Sequence, residues 1–203
     1  MFRVHNAVTR EIHKYFKEAG LWAKTNCVVP EWSQPKPDGT VLEAELDLVT
    51  WAPTPTLTKY IDVTVRHPLV QRYFPKSATV DSHANLVATQ DKVRRYPPTA
   101  GIQVTPFAVE TFGRLAPSSE KFLKTIADAA EQHDIRKAIP PVRRLKHWTV
   151  QLSRVLFRAA ARSILEAQGC YTRQVDDNQT AASGAAGTSA ASRVRVRDTE
   201  VGD

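Results

Sequence analysis

Apolar positions along the chain change their period several times, and each change marks an element. From Asn6 to Ala19, the residues Val8, Ile12, Tyr15, Phe16 and Ala19 recur at three- and four-residue steps, which predicts an amphipathic helix. Asn6 is placed to cap its start, and Gly20 supplies the residue that stops it. A short strand is expected over Thr25–Val29, followed by a polar loop at 33–39. Two stretches then switch to period two. Ala44–Trp51 reads AELDLVTW, and Lys59–Arg66 reads KYIDVTVR, with Ile61, Val63 and Val65 alternating against Tyr60, Asp62 and Thr64. Between them Pro53-Thr54-Pro55-Thr56 cannot continue a ladder, so a β-hairpin is the natural joint.

Helical spacing returns over Ser77–Tyr96, on a face of Ala78, Val80 or Asp81, Ala84, Val87 and Ala88, and Pro97-Pro98 ends it. Ile102–Thr111 reads as a buried strand that Pro106 assigns to an edge or a bulge. Helices fit Ser118–Gln132 and Val142–Gln168, the second closed by Gly169. From about Thr172 the chain is rich in Ala, Ser, Gly and Thr and has no aromatic residue, too little apolar surface to offset the entropy of ordering. The order of elements predicts one α/β domain around a mixed central sheet of about four strands. The expected division is a core at 3–135, a basic helix at 136–170 packed on or beside that core, and a disordered tail at 171–203.

Composition narrows the setting. The 203 residues carry 28 Lys and Arg against 21 Asp and Glu, a formal charge of +7, which favours a polyanionic partner through counterion release. Cys27 and Cys170 make no metal-ligand spacing, so a reduced, intracellular chain is expected. The beginning of the sequence has no apolar signal region and charges interrupt every later apolar run, so neither a signal peptide nor a membrane span is expected.

Two residues stand out chemically. Asp47 and Asp62 lie within Leu46-Asp47-Leu48 and Ile61-Asp62-Val63, although strand interiors are depleted in Asp. Two carboxylates on hairpin-linked strands form a cradle for a hard cation. Such an ion polarises a phosphoryl oxygen and lowers the pKa of an attacking water. From the local pattern alone, a carboxylate on a solvated strand face accounts for each Asp slightly better.

A third segment changes that weighting. Together with Leu46-Asp47 and Asp62-Val63-Thr64-Val65, the run Lys92-Val93-Arg94-Arg95-Tyr96 resembles the restriction-enzyme-like endonuclease domain of non-LTR retrotransposons, a branch of the PD-(D/E)XK nuclease superfamily. The resemblance takes in His5-Asn6, Glu18-Ala19-Gly20, His67-Pro68 and the strand from Pro106 to Gly113, and covers most of residues 3–168. It implies a PD-(D/E)XK core in which Asp47 and Asp62 hold Mg²⁺ or Mn²⁺. Thr64 stands where simpler members carry a strand lysine, and the resemblance moves that role to Lys92, with Tyr96 one turn further along the same helix face. DNA is the implied substrate, and a nuclear location is expected if the protein acts on chromosomes.

Other residues carry weaker expectations. His5 matches an early histidine of the family, and Glu45 lies two before Asp47; a surface role suits each as well. Glu110, in an apolar strand, is expected to pair with a nearby Arg. Arg94 and Arg95, and Arg143, Arg144, Lys146, Arg154, Arg158 and Arg162 on the last helix, are candidate phosphate contacts, with 154, 158 and 162 at four-residue steps; a charged stripe is as often a solvated face. Departures from the pattern are Leu46 before the first Asp and the lack of the zinc motif and polymerase that precede the domain in intact elements, which suggests a stand-alone fragment. The resulting expectation is a metal-dependent DNA-nicking endonuclease, the alternative a catalytically decayed DNA-binding remnant of the same domain.

Overall fold

The structure, a computed structural model, describes residues 2–51, 58–133 and 139–184. Helix α1 (Phe2–Glu18) buries Val4, Val8, Ile12, Tyr15 and Phe16 along one face. It starts four residues before the expected cap, so Asn6 lies inside the helix and does not cap it. Its end is as expected. Gly20 sits at φ 70, and the N–H groups of Gly20 and Leu21 bond back to the carbonyls of Lys17 and Phe16, the paired closure that a left-handed glycine allows.

Strands β1 (Trp22–Val28), β4 (Glu45–Trp51), β5 (Lys59–Arg66) and β6 (Val104–Glu110) form the main sheet in the order β1-β4-β5-β6. A small hairpin, β2 (Gln34–Pro35) with β3 (Val41–Leu42), interrupts the chain between β1 and β4. β1, β4 and β5 pair antiparallel, whereas β5 and β6 run parallel. The expected hairpin is therefore present as a strand pair, while its turn at 53–56 lies outside the described residues. Pro106 sits opposite Asp62 in β6, an edge strand of the sheet, where a residue without an N–H costs least.

The crossover from β5 to β6 carries α2 (Phe74–Ser77) and α3 (His83–Arg95). The single helix expected over Ser77–Tyr96 is thus split. Residues 78–82 form turns, Val80 is exposed, and Ser82 takes a left-handed φ of 57 before α3 begins. α3 lays Ala84 and Ala88 on the sheet, where Ala88 meets Ala108.

On the opposite face α1, α4 (Pro117–His133) and the first turns of α5 (Pro141–Gly184) cover Leu48, Ile61, Val63, Val65, Phe107 and Val109. Trp148 of α5 is fully buried there; its ring stacks on Tyr15 at 4.8 Å and its indole N–H donates to Glu18. The result is a three-layer α/β arrangement with a mixed four-stranded sheet. No described helix is long and apolar enough to cross a membrane.

α5 spans Pro141–Gly184, so Gly169 does not end it and the expected tail begins within a helix; residues 185–203 lie outside the described residues. The chain divides into two compact units, Met1–Ser163 and Ile164–Asp203. The first turns of the basic helix belong to the first unit. Every residue of the buried clusters lies within that unit. A chain ending at Gly169 should therefore melt within about 2 °C of the full chain, a change worth less than about 1 kcal/mol at this size. A larger drop in a calorimetric scan would show that the removed residues pack on the core.

Candidate active site

The site forms where the sheet comes apart. Pairing between β4 and β5 runs from Thr50 opposite Lys59 to Leu48 opposite Ile61, and stops before Asp47 and Asp62. On the other side of β4, β1 skips a rung at the same place: Thr25 pairs with Leu48 and Cys27 with Leu46, while Asn26 between them adopts φ 52. Side-chain alternation breaks there too. Leu46 and Val49 pack into one cluster and Leu48 into the other, although strict period two would put Leu46 and Leu48 on the same side. This local twist turns Asp47 out of the regular ladder, and its Oδ2 accepts the N–H of Val63 at 2.6 Å. Asn tolerates the left-handed region where a β-branched residue would not.

Asp62 reaches the pair from β5 and is 5 % exposed. The two carboxyls lie close enough for each to act on the other's charge state. From α3, Lys92 places its Nζ 2.9 Å from Oδ1 and 2.8 Å from Oδ2 of Asp62. The closeness of Nζ to Oδ2 is electrostatic contact only; the angle is poor for a hydrogen bond, and that buried oxygen has no such partner. Tyr96, the residue that caps α3, is buried beside Trp32, with ring centroids 5.4 Å apart. It is a core aromatic, yet its phenol also lies in the field of the carboxylates. His5, on α1, lies 3.2 Å from Asp47 Oδ2 through its Nε2.

These neighbours set the charge states. Burial pushes the Asp62 carboxyl up to about 6, with Lys92 opposing and Asp47 adding to the rise. Burial alone would lift Asp47 as well, but the His5 hydrogen bond and charge, with the Val63 N–H, hold it below the ordinary carboxylate value. The same hydrogen bond to Asp47 outweighs desolvation and raises His5 to about 9. Burial raises the Tyr96 phenol, and the two carboxylates raise it further.

Two close carboxylates, one with a buried oxygen that makes no hydrogen bond beyond its ion pair with Lys92, make a donor set suited to Mg²⁺ or Mn²⁺. Among the described residues no group of three or more His, Cys, Asp or Glu is arranged to hold a metal ion. A cation here would be held by Asp47 and Asp62 and would complete its shell with water and phosphate oxygens, as Mg²⁺ commonly does.

The sequence-derived site residues are not all brought together. Asp47, Asp62 and Lys92 converge, and His5 joins them, whereas Tyr96 packs in the core beside Trp32 and feels the carboxylates only through their charge. Arg95 lies over the Tyr96 ring at 5.2 Å, while Arg94 is exposed and pairs with Asp91. Glu45 is exposed opposite Val28, and its charge acts on the Cys27 thiol rather than on the carboxylate pair. On α5, Arg143, Lys146, Arg154, Arg158 and Arg162 are exposed, but Arg144 is 8 % exposed and buried too deeply for a surface phosphate contact. Glu110 makes no ion pair with an Arg among the described residues; burial lifts its carboxyl, and the backbone N–H of Asn85 in the first turn of α3 faces it. Ser82, which precedes α3, makes no side-chain cap.

Sequence reasoning passed over Trp32 and Asn26. Trp32 touches Tyr60 and Tyr96, and its indole N–H donates to the carbonyl of Pro97 at 2.7 Å, anchoring the end of α3 behind Lys92. The available signal for Asn26 was an Asn inside an expected strand, a residue type depleted there. No family model matches the chain, and no curated protein matches it.

Proposed function

We propose that this protein is a divalent-metal-dependent DNA endonuclease that hydrolyses a phosphodiester bond in one strand, within a PD-(D/E)XK-like core. The observation that carries this reading is the Lys92 ammonium seated on Asp62, with Asp47 across from it, at the point where β4 and β5 part. A bound Mg²⁺ or Mn²⁺ would polarise the phosphoryl oxygen and acidify the attacking water. Asp47 and Asp62 would hold that cation. Lys92 then stands beside the reacting phosphate, where its positive charge meets the negative charge that develops in the transition state. The resemblance to the retrotransposon endonuclease domain supports the same assignment of Asp47, Asp62, Lys92 and Tyr96, and a chromosomal, nuclear target.

DNA is the polyanion that fits the net charge of +7. Supercoiled plasmid incubated with the purified chain should relax to open circles in Mg²⁺ or Mn²⁺ and remain supercoiled in EDTA. Retention of the plasmid without any nicking would favour the decayed DNA-binding remnant instead.

Arg154, Arg158 and Arg162 are exposed at four-residue steps and offer phosphate contacts with no base code. Reversing all three to Glu should weaken binding about 10- to 1000-fold for unrelated sequences alike. It should also lower the slope of log affinity against log salt by about 3, close to one per phosphate contact. An unchanged affinity and slope in a fluorescence-anisotropy titration would assign that row to solvent.

A further inference from the structure

The parting of β4 and β5 leaves a backbone problem at Val63, and the way it is solved assigns a role to a residue on the far side of the sheet. With the ladder ended at Ile61, neither the N–H nor the C=O of Val63 has a rung on β4, and Val63 is 1 % exposed. Buried backbone groups need partners. Asp47 Oδ2 takes the N–H at 2.6 Å, and His5 Nε2 stands 3.2 Å from the C=O. The same Nε2 is 3.2 Å from Asp47 Oδ2. Both atoms facing Nε2 are acceptors here, so that nitrogen carries the hydrogen and donates to both. His5 and Asp47 together replace the missing rung.

The consequence for the carboxylate is specific. Asp47 Oδ2 accepts two hydrogen bonds, from Val63 and from His5, and its lone pairs are thereby occupied. The other oxygen is the one left for Asp62 and for a cation between them. A carboxylate without His5 would be held by the Val63 N–H alone and could turn about its Cβ–Cγ bond.

We propose that His5 is a positioning residue, which fixes the Asp47 carboxylate so that a single oxygen, Oδ1, is presented to the metal. The inference rests on the nuclease reading above and deepens it. His5 does not hold the ion: its Nε2–H is spent on Asp47 and Val63. It acts through the ligand, as groups that hydrogen-bond to metal-ligating carboxylates do, and losses of about 10- to 100-fold in metal affinity or activity are typical when such groups are removed.

The test compares wild type, His5→Leu and His5→Gln, the last keeping an N–H donor at a similar reach. Free Mn²⁺ is followed by electron paramagnetic resonance during titration of each protein without DNA, and plasmid nicking, plasmid affinity and melting temperature are measured alongside. His5→Leu is expected to weaken Mn²⁺ binding and to slow nicking, each about 10- to 100-fold, with DNA affinity within about twofold of wild type. His5→Gln should recover most of both losses. The proposal is overturned if His5→Leu binds Mn²⁺ as wild type does, or if His5→Gln is no better than His5→Leu. It is also overturned if the loss only follows a collapse in melting temperature that both variants share. A wild-type protein that nicks nothing in any metal would defeat the nuclease reading itself, and the inference with it. Wild-type nicking that Asp62→Ala abolishes and His5→Leu leaves unchanged would defeat the inference alone.

Discussion

Asp62→Ala is expected to lower the rate of plasmid nicking by about three orders of magnitude while leaving DNA binding within a few-fold of wild type. Asp62 is one of two carboxylates available to a cation, and Asp47 alone offers a single free oxygen, since its Oδ2 is taken by Val63 and His5. Losing the cation removes both the polarised phosphoryl oxygen and the acidified water. Such effects are worth several kcal/mol, and each ~1.4 kcal/mol is a factor of ten in rate. The fold should survive, although removing one partner of a buried ion pair is destabilising. The cost is a Lys92 left without its partner, with the side chain 17 % exposed and so able to turn toward water. Rates under single-turnover conditions, with binding by anisotropy and folding by circular dichroism, separate the three effects. A variant that nicks at the wild-type rate would remove Asp62 from the chemistry.

Lys92→Ala carries the second large effect, a fall of about a hundred- to a thousandfold in nicking, since one preorganised charge aimed at a transition state is typically worth roughly 3 to 4 kcal/mol. Plasmid affinity should barely change, because one phosphate contact among many is a small share of binding. Lys92→Arg should recover only part of the rate. A guanidinium is planar and broader than an ammonium, and Nζ is held within 2.9 Å of both Asp62 oxygens. An alanine variant with an unchanged rate, or an arginine variant with full activity, would make Lys92 a structural partner of Asp62 and nothing more.

The part of the site that was legible in the sequence is the part built by local patterning. Period-two alternation placed Asp47 and Asp62 in two neighbouring strands, while the family resemblance, not the local pattern, singled out Lys92 and Tyr96. The strand placement survives because the strand pattern follows from neighbouring residues. What was not legible depends on long-range geometry. The contact of His5 with Asp47 spans 42 positions and arises only because α1 crosses the sheet near the parting strands. The left-handed Asn26 and the break in alternation at Asp47 are two halves of one distortion, visible only when β1 lies beside β4.

The boundaries missed have similar causes. α3 begins at His83 rather than Ser77, because residues 78–82 form turns and Ser82 takes a left-handed φ of 57, a break that the helical spacing does not contain. Arg144 looked like a surface cation in a basic run, yet its turn of α5 also carries Trp148, whose burial against Tyr15 draws that face into the core. Gly169 was read as a stop, but glycine ends a helix only where the chain takes up a left-handed turn; here α5 continues to Gly184.

Binding of Mn²⁺ to the protein alone tests the central claim most directly, because it asks whether Asp47 and Asp62 act together on a cation before any DNA is present. Equilibrium dialysis or electron paramagnetic resonance on wild type should find one ion bound per chain, competed by Mg²⁺. Asp47→Ala and Asp62→Ala should each abolish that binding while circular dichroism stays that of the folded chain. Wild-type protein that takes up no Mn²⁺, or an Asp62→Ala variant that binds it as tightly as wild type, would contradict the account.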